Sequence, residues 1–170
     1  VATATIPLTR AGVDPTIGLM VVDSIRAAAK ADVGLMNRGT IRRDLPAGPI
    51  HAEDLSDLVY RNRVATFRVT GKVLREMIAY SLENGGRDVC QFSGFTATWS
   101  AKDGLVACSL EPEREYLVAL PDYTAENAVK YFGRAVEFEA MDTYVHHALL
   151  AWLREHMKVE EMKPRLTWKD

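Results

Sequence analysis

At 170 residues, 48% hydrophobic and 26% charged, the chain has the size and composition of one ordinary globular domain, long enough to bury roughly 70% of its unfolded-chain surface. A net charge of −2 argues against a general nucleic-acid-polymer binder, which needs a clear basic excess. No run of 18 apolar residues offers a membrane span, and no signal peptide is visible.

Residues 1–10 open with alternating Thr, Ala and Ile, a strand or an extended linker. The start at Val1 rather than Met reads as a piece of a longer protein. Asp14-Pro15 is a helix start, with Asp as N-cap and Pro where its missing N–H costs nothing. Ile17, Met20, Val21 and Ile25 recur at helical spacing, so a helix is expected over 15–30. Val33–Met36 is a buried strand that feeds a polar loop from Asn37 to Pro49. A short helix over 52–59 and an alternating strand over Val64–Val69 follow. Thr70 then caps a helix to about Leu82, with Val73, Leu74, Met77, Ile78 and Leu82 on one face.

Asn84-Gly85-Gly86 ends that helix. Strands are expected over Val89–Phe92, Phe95–Ser100 and Leu105–Leu110, the last two joined by a turn at Lys102-Asp103-Gly104. Tyr116–Leu120 is another strand, stopped by Pro121. Thr124 is expected to cap a helix over 125–132, and Asp142 a longer one to about His156. A short strand at Arg165–Trp168 closes the chain. Strands and helices interleave irregularly, with hairpin-type pairs in the middle. This favours an α+β fold, mixed β-sheet layers flanked by helices, in a single domain over 1–170.

A complete catalytic constellation is missing from the residue spacing. The four histidines are His51, His146, His147 and His156; the adjacent pair on a helix points about 100° apart and chelates one metal poorly. No metal signature, nucleophile elbow or phosphate-cradling glycine loop appears. Cys90 and Cys108 both read as buried small hydrophobes. No catalytic residue and no metal ligand is therefore assigned. The exception is the stretch from Asn37 to Ile50. It leaves a buried strand and carries an amide, Asn37, with Arg38, Arg42 and Arg43. Residues 37–75 hold eight Arg or Lys against four Asp or Glu, a local basic excess in an acidic chain. A small-anion site follows, with Arg42 or Arg43 as the planar fork.

The same stretch, Asn37-Arg-Gly-Thr-Ile-Arg42-Arg-Asp-Leu-Pro-Ala-Gly48, resembles the Asn-x-Gly-Gly-Ile-Arg-x-Asp-Leu-Pro-x-Gly motif of the 5'-nucleotidase C-terminal domain family. Further features match in order over nearly the whole chain: Leu8-Thr-Arg10, Asp14 and Ile17-Gly18 upstream; Val69-Thr-Gly71, Gln91-Phe-Ser-Gly94 and Tyr116-Leu-Val-Ala-Leu-Pro-Asp-Tyr123 downstream. The resemblance implies a two-domain phosphohydrolase. Its N-terminal metallophosphatase domain, outside this chain, would carry divalent metals, and the present domain would hold a nucleotide or related phosphate ester.

The resemblance further implies that Arg10 and Arg42 anchor the substrate, that Asn37 contacts the nucleoside, and that Tyr60 and Tyr123 stack on a base. Packing in the core or at the rim is the other reading of the two tyrosines. Arg38 and Arg43 are read as loop surface. A periplasmic, secreted or cell-surface setting is implied by the same resemblance. The chain departs from the pattern at Gly39-Thr40 and at Val59-Tyr60-Arg61-Asn62. It also lacks the glycine-rich Gly-Gly-Asp-Gly loop after the second aromatic, where residues 124–131 read as helical. Another phosphate ester (a cyclic nucleotide or nucleotide sugar) and a non-catalytic binding module therefore stay open beside the nucleotide.

Overall fold

The computed structural model describes residues 1–169. In chain order the elements are β1 (Ala2–Ala4), α1 (Thr16–Ala29), β2 (Val33–Asn37), β3 (Gly48–Ile50), α2 (Ala52–Leu58), β4 (Arg63–Thr70), α3 (Gly71–Asn84), β5 (Cys90–Ser93), β6 (Ala97–Ser100), β7 (Gly104–Cys108), β8 (Glu115–Pro121), α4 (Asp122–Glu126), α5 (Ala128–Phe132), β9 (Glu139–Tyr144), α6 (Val145–His156), β10 (Lys158–Val159) and β11 (Leu166–Lys169). The fold is α+β, as its irregular alternation of strands and helices implies.

The centre is a mixed sheet in the order β5-β2-β8-β4-β9, in which β2 and β8 run parallel and the other neighbours antiparallel. Side chains alternate across a strand, so each central strand feeds two cores. Val33 and Leu35 of β2, Ala65 and Phe67 of β4, and Val118 and Leu120 of β8 point into one core. There they meet Leu74, Met77, Ile78 and Leu82 of α3, Ala128 and Phe132 of α5, and the sheet β11-β6-β7. Met36, Val64 and Ala119 point into the other, against α1, α6 and the small sheet β10-β1-β3. Burial on both faces explains why these strands read as nearly continuous apolar runs. Small residues on the α1 face let that helix sit close: a Cβ at Gly34 would lie 2.7 Å from the Val22 carbonyl oxygen.

Several local expectations fail for tertiary reasons. Asp14 does not cap α1, whose start has no side-chain cap. Its carboxylate instead accepts from Gln91 Nε2 at 2.8 Å and from the backbone N–H groups of Arg165 and Leu166 at 2.7 and 3.1 Å. It thereby ties the tail to the sheet. Thr124 caps no helix; 122–132 divides at Asn127 into α4 and α5, and the Thr124 hydroxyl points inward. Asp142 lies within β9, and α6 starts at Val145 without a side-chain cap.

β9 escapes sequence reading because it is a partly exposed edge strand with weak alternation. The proline-rich loop hides β3, whose Pro49 is tolerated because β3 is an edge strand. Thr70 does cap α3, its hydroxyl accepting from Val73 N at 3.3 Å. Both cysteines are free. Cys90 is buried, which pushes its thiol up to about 11, whereas Cys108 is half-buried on β7 rather than in the core.

Asp14→Ala is expected to lower stability by at least about 1.5–3 kcal/mol, the value of one hydrogen bond to a charged group. Amide hydrogen exchange at 166–169 should accelerate first. An unchanged urea midpoint together with unchanged exchange there would refute this role of Asp14.

Candidate functional site

The candidate site is at the carboxyl ends of the two parallel strands. Pairing between β2 and β8 stops after Gly34–Ala119, although β2 continues to Asn37 and β8 to Pro121. Beyond that point β2 stays with β5 and β8 with β4. A cleft of about 460 Å³ opens here, lined by Asn37, Tyr60, Asp88, Tyr123, Lys130 and Tyr131 among others. That volume suits a small molecule.

Asn37 is buried and fully engaged on its oxygen. Oδ1 accepts from Thr124 Oγ1 at 2.6 Å and Thr40 Oγ1 at 3.3 Å, and Nδ2 donates to Asp88 Oδ1 at 2.9 Å. A carboxylate only accepts, so the amide nitrogen must face Asp88 and the hydroxyls must donate to the oxygen. One Nδ2 hydrogen is left for any ligand.

Tyr60 and Tyr123 line the same cleft with about half their surface open, 53% and 47%. Large aromatic side chains so exposed inside a concavity offer two flat surfaces to a ring. Tyr60 owes its place to the Ile41–Val59 bridge, which also fixes Arg42 through its N–H to the Leu58 carbonyl at 2.8 Å. The Arg42 guanidinium consequently lies 5.1 Å from the Tyr60 ring centre, a cation–π distance.

Arg10 is brought alongside by the Leu8–Leu45 bridge. Its Nε donates to Asp44 Oδ1 and its Nη1 to the Arg42 carbonyl, both at 2.9 Å. The Arg10 backbone N–H, and then its guanidinium, hold the Asp44 carboxyl below the usual carboxylate range. Arg10 and Arg42 do not line the tyrosine cleft. They occupy neighbouring depressions, and that of Arg10 shares Gly39 and Asp88 with the cleft.

Two arginines differ from the sequence reading. Arg38 is not loop surface: its guanidinium is half-buried, which lowers its pKa, and it donates to the carbonyls of Gly12 at 2.7 Å and of Val13. Arg43 packs half-buried against α2, 3.3 Å from Asp54 Oδ1.

The sequence reading also misses Asp88, Asn62, Lys130 and Tyr131 on the cleft wall. Asp88 falls between the Asn84-Gly85-Gly86 helix stop and the strand expected from Val89, with no motif of its own, and only the β2–β5 pairing brings it to Asn37. Lys130 and Tyr131 arrive on α5. Burial, then the nearby Asp88 charge and the Tyr123 hydroxyl, raise the Tyr131 pKa and keep it a neutral donor.

A family model for the 5'-nucleotidase, C-terminal domain, matches residues 1–134. The chain belongs to that family. An endonuclease of Bacillus subtilis (strain 168), YhcR, is 31% identical over 120 residues, covering 66% of this chain and 10% of its own length. A 5'-nucleotidase precursor of Thermus thermophilus superposes with a TM-score of 0.86 at 18% identity, over 100% of this chain and 39% of that one. The NAD nucleotidase of Haemophilus influenzae gives 0.82 at 14% identity, over 99% of this chain and 38% of its own. At such identities the two structures establish a shared fold. The chain thus spans about two fifths of these two solved relatives and a tenth of the endonuclease.

Asn37→Ala strands the buried Thr124 hydroxyl and removes the brace of Asp88. A loss of about 1–3 kcal/mol is expected, read as a lower urea midpoint at constant slope. Thr124→Val removes one of two donors to the same oxygen and should cost less. The reverse order would show that Asn37 does not hold the two elements together.

Proposed function

We propose that this family member is the substrate-recognition part of a metal-dependent phosphohydrolase acting on a nucleotide or a related phosphate ester. The observation that carries the reading is the pair of half-exposed tyrosines, Tyr60 and Tyr123, in one cleft beside the guanidinium of Arg42. A base stacked on such a ring gains about 1–3 kcal/mol by analogy with single-strand binders. The cations next to the cleft supply the phosphate end, each as a fork of donors.

Among the described residues no group of three His, Cys, Asp or Glu side chains converges to hold a metal ion. No step is assigned to a metal in this chain. In this reading a domain outside the chain carries the divalent ions, which activate water and polarise the phosphoryl oxygens. The chain's own share is orientation: ring between tyrosines, phosphate toward the arginines, the ester presented in line for attack.

A second reading, a ligand other than a standard nucleoside monophosphate, draws on α5. Where the family pattern has a glycine-rich loop, this chain sets Lys130 and Tyr131 against the cleft, with Lys130 Nζ 5.2 Å from the Tyr131 ring centre. An extra cation there favours a ligand with a further acceptor or negative group, as in a nucleotide sugar.

Two outcomes follow. The chain by itself, given manganese or zinc and a nucleoside monophosphate, should show no turnover above a metal blank; turnover that scales with protein would refute the division of labour. In the protein that carries this chain, Arg42→Ala should lower kcat/KM by roughly ten- to a hundredfold, the effect of about 1.5–3 kcal/mol for a charged hydrogen bond. Arg42→Lys should restore part of it, since charge returns without the planar fork. Unchanged kinetics in Arg42→Ala would remove the arginine from the site.

A further inference from the structure

We propose that Arg61, His146 and His147, grouped around Tyr144 and backed by Arg63, bind a phosphate-type dianion at a site outside the tyrosine cleft and independent of what fills it. Three elements build the group. Arg63 opens β4 directly opposite Tyr144 at the end of β9. The Val145 N–H donates to the Asn62 carbonyl at 2.8 Å, which fastens the start of α6 to the turn that carries Arg61. The guanidinium carbons of Arg61 and Arg63 lie 5.4 and 5.6 Å from the Tyr144 ring centre. The His146 and His147 rings lie 5.7 and 5.9 Å from it, and 4.1 Å from each other. None of these five side chains lines the cleft, although the neighbouring Asn62 does.

The charge of the group is one-sided. None of the ion pairs among the described residues engages Arg61, His146 or His147. Asp142 on β9 reaches Arg63 at 3.9 Å and is fully exposed; Asp122 of α4 also acts on Arg63. The helices α1 and α2 pack on the apolar face of α6, formed by Val145, Ala148, Leu149 and Leu153. Burial, and then the charges of His147 and Arg61, hold the His146 imidazole below its ordinary pKa.

Cations this close repel one another, and an anion placed among them removes the repulsion. The same charges disfavour a metal ion on the imidazole pair. A guanidinium offers a planar fork of donors, and a protonated imidazole donates from both ring nitrogens. That set matches the many acceptor positions of a tetrahedral dianion better than a single carboxylate. The imidazoles make the site sensitive to pH. Their charged forms hold the anion, so affinity rises as pH falls through the imidazole range and is lost above it. By linkage, the bound anion raises the pH at which they titrate.

The test follows the imidazole resonances of the four histidines of this chain by NMR across their titration range, with ionic strength held constant by chloride. The added anions are sulfate, which keeps its charge throughout that range, inorganic phosphate and adenosine 5'-monophosphate. His51 at the start of α2 and His156 at the end of α6 serve as internal controls. Saturating sulfate should raise the midpoints of His146 and His147 by about one pH unit, equivalent to roughly tenfold tighter binding by the protonated form. Those of His51 and His156 should stay in place. Arg61→Ala, at an exposed position, should raise the anion-free midpoint of His146 and remove most of the anion-induced rise.

A response to sulfate and phosphate at lower concentration than to the monophosphate identifies a free inorganic anion as the ligand. The reverse order identifies a phosphate carried on a nucleotide, and either order supports the site. Equal movement of all four histidines would reduce the effect to screening and overturn the assignment. No movement with any of the three anions would overturn it too, as would a full rise retained in Arg61→Ala.

Discussion

A hydrogen bond of 2.6 Å from Thr124 to Asn37 spans the gap where β2 and β8 part. Strands that separate within a sheet expose backbone groups and lose packing, so a split of this kind needs a polar brace. Asn37 supplies it in three directions, to Thr124 after β8, to Thr40 in the following turn, and to Asp88 before β5. Because the amide is buried, each of these bonds matters more than a solvent-exposed one. The cleft is the space that this arrangement leaves open, and its walls are the elements that the amide ties together.

Around that brace the charged groups are sorted. The tyrosine cleft contains a carboxylate, and the arginines nearest it occupy neighbouring depressions. Arg10 is held by Asp44 and the Arg42 carbonyl, so its direction is set before any ligand arrives. Arg42 rests against Tyr60, which links an aromatic surface and a cation on one rigid bridge. Preset donors and flat surfaces lower the ordering cost of binding. Arg38 has the different task of fastening the chain segment at Gly12 and Val13.

The distant ends of the chain are also joined by charge. Asp14 receives two backbone N–H groups from Arg165 and Leu166, and the Arg165 side chain pairs with Asp23 at 2.7 Å. Asp23 in turn accepts from the buried Ser93 at 2.6 Å. This series of partners anchors β11 beside β6, so the last strand completes a sheet begun by β6 and β7 (Leu166 opposite Ala97, in parallel register). A partly buried pair with additional hydrogen bonds is costly to break from one side.

Local pattern was enough to locate the core strands, the helices α1, α3 and α6, and the arginine-bearing turn. Period-3.6 and apolar runs act over a few residues and survive into the structure at Ile17, Met20, Leu74, Met77 and Leu149. The motif around Arg42 was equally local, as was the capping of α3 by Thr70. Where the polar side chains turned was settled by long-range packing instead. Asp14, Thr124 and Asp142 all have the chemistry of an N-cap, yet two of them found partners far along the chain and one lies on an edge strand. The same packing brought Asp88 and Tyr131 to the cleft. A short polar side chain bonds whatever the fold brings within about 3 Å, and strand pairing over long sequence separations leaves no periodic mark.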